Sequence, residues 1–148
     1  MVGLLEFERE GALVSLQGAR LVGKVMRGEN GEPPVDDEVI SELRAINGPG
    51  EPSLLAEMID LYIEDGVERL SAVREAQGAG DGASLAEAAH ALKGASSNFG
   101  AHLLQRLCRE LVLLGRTGHV HSAAPQIEAV EREFRRVCKA LEKERARS

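Results

Sequence analysis

Residues 83–101 read ASLAEAAHALKGASSNFGA, and the spacing within this stretch decides the fold. At about 100° per residue, Leu85, Ala88, Ala89, Leu92, Ala95, Ser96 and Phe99 share one side of a helix. This is the core stripe. The pattern stops at Asn98-Phe99-Gly100, a corner where glycine can take a backbone conformation that other residues avoid. A helix over 83–97 is the expectation.

The flanks repeat the pattern. Residues 36–46 begin on Asp36 and Asp37, which suit a helix N-terminus, and set Val39, Ile40 and Leu43 on one side before Asn47-Gly48-Pro49-Gly50. From 52 to 77, Leu55, Met58, Ile59, Tyr62, Leu70 and Val73 recur at helical spacing. Gly66 lies inside that run at a cost of about 1 kcal/mol relative to Ala. Residues 78–82 read as a turn. Beyond the corner, 101–114 carries Leu104, Leu107, Cys108 and Leu111 on one face. Residues 122–143 step through Ile127, Val130, Phe134, Val137 and Leu141, with Glu128, Glu131 and Glu133 early and Lys139, Lys143, Arg145 and Arg147 late, as the helix dipole favours. Amphipathic helices with short connections bury their stripes only against one another. The expected class is all-α: an antiparallel up-down-up-down four-helix bundle over 36–146, with a short additional N-terminal helix.

Residues 1–35 fall outside this pattern. RGENGEPPV at 27–35 reads as a linker, and 12–16 and 21–25 read as short strands; no function follows from this extension.

Composition narrows the class further. Of 148 residues, 43% are hydrophobic and 28% charged, as in a soluble globular protein, and the 3% aromatic content leaves the core to Leu, Ile, Val and Ala. A net charge of -6 argues against a nucleic-acid partner, which would need a basic face, and gives no attraction to an anionic membrane. Neither a membrane span nor a basic signal-peptide start is visible. Cys108 and Cys138 fall on apolar stripes and are expected as reduced thiols, which fits the cytoplasm. No Gly-rich phosphate-binding motif opens a helix, so a bound nucleotide is not expected.

The chemistry is carried by the face opposite the core stripe. His90 lies about 200° from Leu92 and points outward. Ala86 sits one turn before it, Lys93 and Gly94 one turn after, and Ser97 beyond. An exposed imidazole is largely neutral at pH 7 and offers a ring lone pair for nucleophilic attack. Small neighbours at Ala86 and Gly94 would leave the ring uncovered, and Lys93 can offset charge on a group attached to it. Taken singly, each residue has an ordinary reading: a solvated surface histidine or lysine, or a small residue at a tight helix crossing. The last suits Ser96 best.

Together they form the string His90-x-Leu92-Lys93-Gly94-x-x-Ser97-x-x-Gly100-Ala101, which resembles the signature of histidine phosphotransfer (HPt) domains. Leu104, Cys108, Leu111, Arg116 and Gly118 are similar to the downstream pattern of that family, and the five-helix layout from 36 to 145 is similar throughout. The resemblance implies a phosphorelay intermediate. His90 would accept a phosphoryl group from a receiver-domain aspartyl-phosphate and pass it to another receiver. The partners would be receiver domains of hybrid histidine kinases and response regulators. The chain would need no cofactor of its own, Mg²⁺ being supplied by the receiver, and no kinase activity. Lys93 would hold phosphoryl oxygens, while Ala86, Gly94, Ser97 and Arg116 would face the docked receiver. A helix C-terminal cation is an equally good account of Arg116. Two positions depart from the family: Ala95, where Ser is common, and Val112, where Gln or Glu often orients the imidazole.

Other classes fit less well. The helix pair of a sensor kinase typically follows its histidine with an acid and, four residues later, a proline; neither is present. A phosphotransfer domain separated from a chemotaxis-type kinase and a non-catalytic helical adaptor remain as alternatives. A metal site from Cys108, His119, His121 and Cys138 lacks ligand spacing. A monomer is expected, since each helix has one apolar stripe.

Overall fold

The computed structural model describes residues 31–147, and the chain from Pro34 onward forms one compact unit. Five α-helices follow in order: α1 Asp37–Arg44, α2 Leu54–Ala79, α3 Gly82–Ser97, α4 His102–Arg116 and α5 Ala124–Ala146, with a 3₁₀ turn at Val120–Ser122 before the last. Each expected helix is present, with ends displaced by no more than three residues. The strands read at 12–16 and 21–25 lie outside the described residues.

Local chemistry sets the helix ends. The Asp36 carboxylate caps α1 by accepting from the Glu38 and Val39 amides, Ser53 caps α2 through the Ala56 amide, and Asp81 caps α3 through the Ser84 amide. Those amide N–H groups, Glu38's first, hold the Asp36 carboxyl below its ordinary pKa, and the Ser84 N–H does the same for Asp81. Gly80 ends α2 at a φ of 68°, and Gly100 turns the α3–α4 corner at 64°. The corner is also crowded: a Cβ at Gly100 would lie 2.4 Å from that of Asp36, whose amide donates to the Phe99 carbonyl at 3.1 Å. The entry of α1 is thereby tied to the end of α3.

The four long helices are antiparallel neighbours in a closed ring. Arg74 pairs with Glu131 and Arg145 with Asp60, each at two points, so the start of α2 meets the end of α5. Arg44 of α1 reaches Glu144 at 2.7 Å and holds the short helix over that end. Inside the ring, Leu55, Ile59, Leu85, Leu92, Leu104, Leu111, Ile127 and Leu141 are fully buried. At the α1 end, Tyr62 packs edge-on to Phe99 at 5.2 Å between ring centroids and beside Phe134 at 5.7 Å. Among the described residues no helix is long and apolar enough to cross a membrane.

Candidate functional site

Helix α3 is fixed on its inner side by packing and one polar link. Leu85, Ala88, Ala89, Leu92, Ser96 and Phe99 are buried as the stripe requires; Ala95 is half-exposed instead, at the rim of a shallow groove with Met58 and Leu61. Ser96 Oγ donates to the Leu92 carbonyl at 2.7 Å, so the Tyr62 hydroxyl, also at 2.7 Å, donates to Ser96. Burial pushes the Tyr62 phenol well above its ordinary pKa, so it stays a neutral donor. Ser96 thus belongs to the packing, and it satisfies the one buried hydroxyl of the aromatic cluster.

Against α4, the helix is fixed by the absence of side chains. A Cβ at Gly82 would lie 2.3 Å from the Gly115 carbonyl oxygen, and one at Gly115 would lie 2.6 Å from the Gly82 carbonyl oxygen and 3.1 Å from the Ala86 nitrogen. Ala86 is therefore only 5% exposed. Ala86 is thus not the small surface residue beside His90 that the sequence suggests: it is small because α4 crosses over it, and it is buried.

Past that crossing the outer face opens. His90 is exposed, Lys93 half-exposed, and Gly94 and Ser97 exposed. A Cβ at Gly94 would meet nothing within 4 Å, so the protein's own packing does not require glycine there. The Ser97 hydroxyl is engaged with its own helix, donating to the Gly94 carbonyl at 2.6 Å. Arg116 is exposed in the last turn of α4, beside the Gly115 crossing. The structure thus brings His90, Lys93, Gly94 and Ser97 onto one open face, with Arg116 at its edge.

Facing helix α4 supplies the rest of the surroundings. Lys93 lies close enough to Cys108 to favour its thiolate, although burial outweighs this and pushes the thiol up to about 12. Cys138 is likewise raised to about 12 by burial, and both cysteines are free. Gly115 packs against the Gly82–Ala86 turn, so antiparallel pairing sets His90, about six residues further along α3, level with about residues 109–111 of α4. Leu111 is core, and Glu110 points to the far side. Arg109 is exposed on the flank that holds Val112 and Arg116. Val112 is 5% exposed and apolar, so it gives the ring no hydrogen bond. Sequence reasoning missed Arg109; its spacing from Val112 and Arg116 (three and seven residues) was the available cue.

The remaining histidines are placed elsewhere. His102 faces the Asp36 carboxylate at 3.5 Å, His119 Nδ1 meets Thr117 Oγ1 at 2.8 Å, and His121 packs beside Gly80. Among the described residues no three of His, Cys, Asp and Glu come together as a metal's ligands would.

Comparison with known proteins fits this geometry. The family model for the Hpt domain matches residues 57–144. Histidine-containing phosphotransfer protein 2 of Arabidopsis thaliana is 32% identical over 75 residues, covering 49% of this chain and 48% of that protein. The match therefore spans about half the length of that curated relative. The crystal structure of histidine-containing phosphotransfer protein B from Pseudomonas aeruginosa PAO1 matches at 36% identity with a TM-score of 0.70, over 78% of this chain and 97% of that one.

Proposed function

The chain belongs to the Hpt domain family, and on that footing we propose that it is a phosphorelay intermediate in which His90 carries the phosphoryl group between receiver domains. The observation that carries His90 is its setting: an exposed imidazole in mid-helix, on a rigidly packed segment, beside a glycine that the protein's own packing does not need. Of the other three histidines, His102 faces Asp36, His119 meets Thr117 within its own turn, and His121 lies beside Gly80.

The chemistry asked of the chain is small. A ring-nitrogen lone pair attacks the phosphorus of a receiver's aspartyl-phosphate, the P–O bond breaks, and the aspartate leaves as carboxylate with the bonding electrons. The reverse displacement delivers the group to the next receiver. Such transfers depend on positioning and charge rather than on further covalent steps, and the Mg²⁺ is assigned to the receiver's acidic pocket. Lys93 supplies a cation one turn from the ring. Gly94 leaves room for the incoming receiver, with Ser97 and Arg116 at the edges of the contact. Receivers of hybrid histidine kinases and of response regulators fit this role, acting on a monomeric, cytoplasmic carrier. The phosphotransfer unit is placed at 36–146, with 1–35 as an extension.

Incubation with phosphorylated receivers tests the reading. Label is expected on His90, labile to acid and stable to base as a phosphoramidate is, and a folded His90→Gln protein should take up none. Uptake surviving that change overturns the assignment of His90. Receiver binding with no label on the wild type would make the chain a helical adaptor instead.

A further inference from the structure

We infer that Arg109 is a second cation for the phosphoryl group on His90, reaching it from α4 while Lys93 reaches it from His90's own helix. This rests on the phosphocarrier reading above and adds a residue to it.

Position is the first argument. The crossing at Gly115 sets His90 level with about residues 109–111 of α4, and of these Arg109 alone lies on the exposed flank that Val112 and Arg116 share. Adjacent helices pack about 8–10 Å apart, a span that an arginine and an imidazole cover between them. Availability is the second. Arg44, Arg74 and Arg145 are committed to Glu144, Glu131 and Asp60. Among the described residues, Lys93, Arg109 and Arg116 make no ion pair, although the chain as a whole is acidic. Polarity across the site is the third. The acid nearest His90 on α3, Glu87, turns to the α2 side, where it lines a groove with Arg69 and Glu75. In that groove the one arginine, Arg69, is already paired with Asp65, whereas Lys93 and Arg109 carry no ion pair among the described residues, so a phosphoryl group on His90 is drawn toward α4.

Arginine suits this position. Its guanidinium presents paired N–H donors that match two phosphoryl oxygens at once. It has no acceptor for the ring N–H, so it cannot replace the orienting carboxamide or acid that Val112 lacks. Arg109 acts on the phosphoryl oxygens and takes no part in the bond changes at the ring nitrogen.

The test compares wild type, Arg109→Gln and Arg109→Lys, each labelled by a phosphorylated receiver that is then removed. Two quantities are read at low salt: the first-order loss of label at neutral pH, and the affinity of the unphosphorylated protein for the receiver. Arg109→Gln should lose label about two- to fivefold faster, within the range of exposed ion pairs. Arg109→Lys should restore most of the lifetime, added salt should shrink the difference, and receiver affinity should be unchanged. Label with an unaltered lifetime in Arg109→Gln overturns the inference alone. So does a variant that weakens receiver binding without shortening the lifetime, which would make Arg109 a docking residue. A wild type that takes no label overturns the phosphocarrier reading, and this inference with it.

Discussion

Gly115 and Gly94 sit on facing helices only a few turns apart, and a methyl group added to each would meet different surroundings. At Gly115 it would strike the backbone of Gly82 at 2.6 Å; at Gly94 it would meet nothing within 4 Å. The first glycine lets two backbones approach, and the second leaves a surface bare. Glycine costs about 1 kcal/mol relative to alanine in a helix interior such as that of Gly94, and less in the last turn, where Gly115 lies. At Gly115 the closer packing of α3 on α4 offsets that cost inside the protein. At Gly94 nothing inside the protein does, and the compensation has to lie in what approaches from outside. The two glycines thus separate the part of the α3–α4 pair that builds the fold from the part that works.

The largest effect is expected where the backbones touch. Gly115→Ala or Gly82→Ala must push α3 and α4 apart, because the obstructing atoms are carbonyl oxygens with no side-chain freedom. A loss of about 3 kcal/mol is expected in urea unfolding, at the upper end of overpacking effects. Transfer per folded molecule should fall as well, since the seam beneath His90 opens. A Gly115→Ala protein as stable as wild type would break the comparison at its root.

Gly94→Gln tests the other half. Stability should stay level or rise by up to about 1 kcal/mol, from helix propensity alone. Phosphoryl transfer from a receiver should slow about tenfold, as misplacement near reacting atoms does. Slowed transfer with lost stability would instead put Gly94 with Gly115 as a packing residue.

A third change probes the inner face of α3 and should show stability without chemistry. Tyr62→Phe removes the donor to Ser96 Oγ, which keeps its own bond to Leu92. About 1 kcal/mol should be lost in urea unfolding, the usual net worth of one such hydrogen bond, with the transfer rate unchanged. A slower transfer would mean that the aromatic cluster helps to set His90.

How much of this was legible in the sequence follows the same division. The bundle was, because apolar residues at steps of three and four report burial directly, and Leu85, Leu92, Ile127 and Val137 are all inside. His90 was legible as an outward residue by the same periodicity. Ala86 was misread because periodicity tells which way a residue points from its own helix, not what crosses over it. The crossing depends on Gly115, 29 residues away in the chain, and only the pairing of α3 with α4 brings the two together. Arg109 was missed for the same reason: its level relative to His90 is a property of two helices. Ala95 lies at the margin of the buried stripe, where the groove beside Met58 and Leu61 leaves it half-exposed.

Lys93→Ala should give the smallest effect, and it separates charge from shape on the working face. A phosphoryl group brings close to two negative charges at pH 7 to a surface of net negative charge, with Lys93 one turn away on α3. Removing that cation should disfavour the phosphorylated form more than the free one. Lys93 is half-exposed, so solvent limits the difference to about 1 kcal/mol or less. With Arg109 intact on the facing helix, the loss is expected to be partial, and the double change should exceed either single one. The readouts are the rate of His90 labelling and the lifetime of the phosphohistidine at low and high salt. Both should fall modestly at low salt, and the gap to wild type should close as salt is added. Because Gly94 and the α3–α4 crossing are untouched, unfolding in urea should not change. If rate and lifetime are the same as wild type at low salt, Lys93 is a solvated helix residue, and the working face would act on the phosphoryl group through Arg109 and clearance alone.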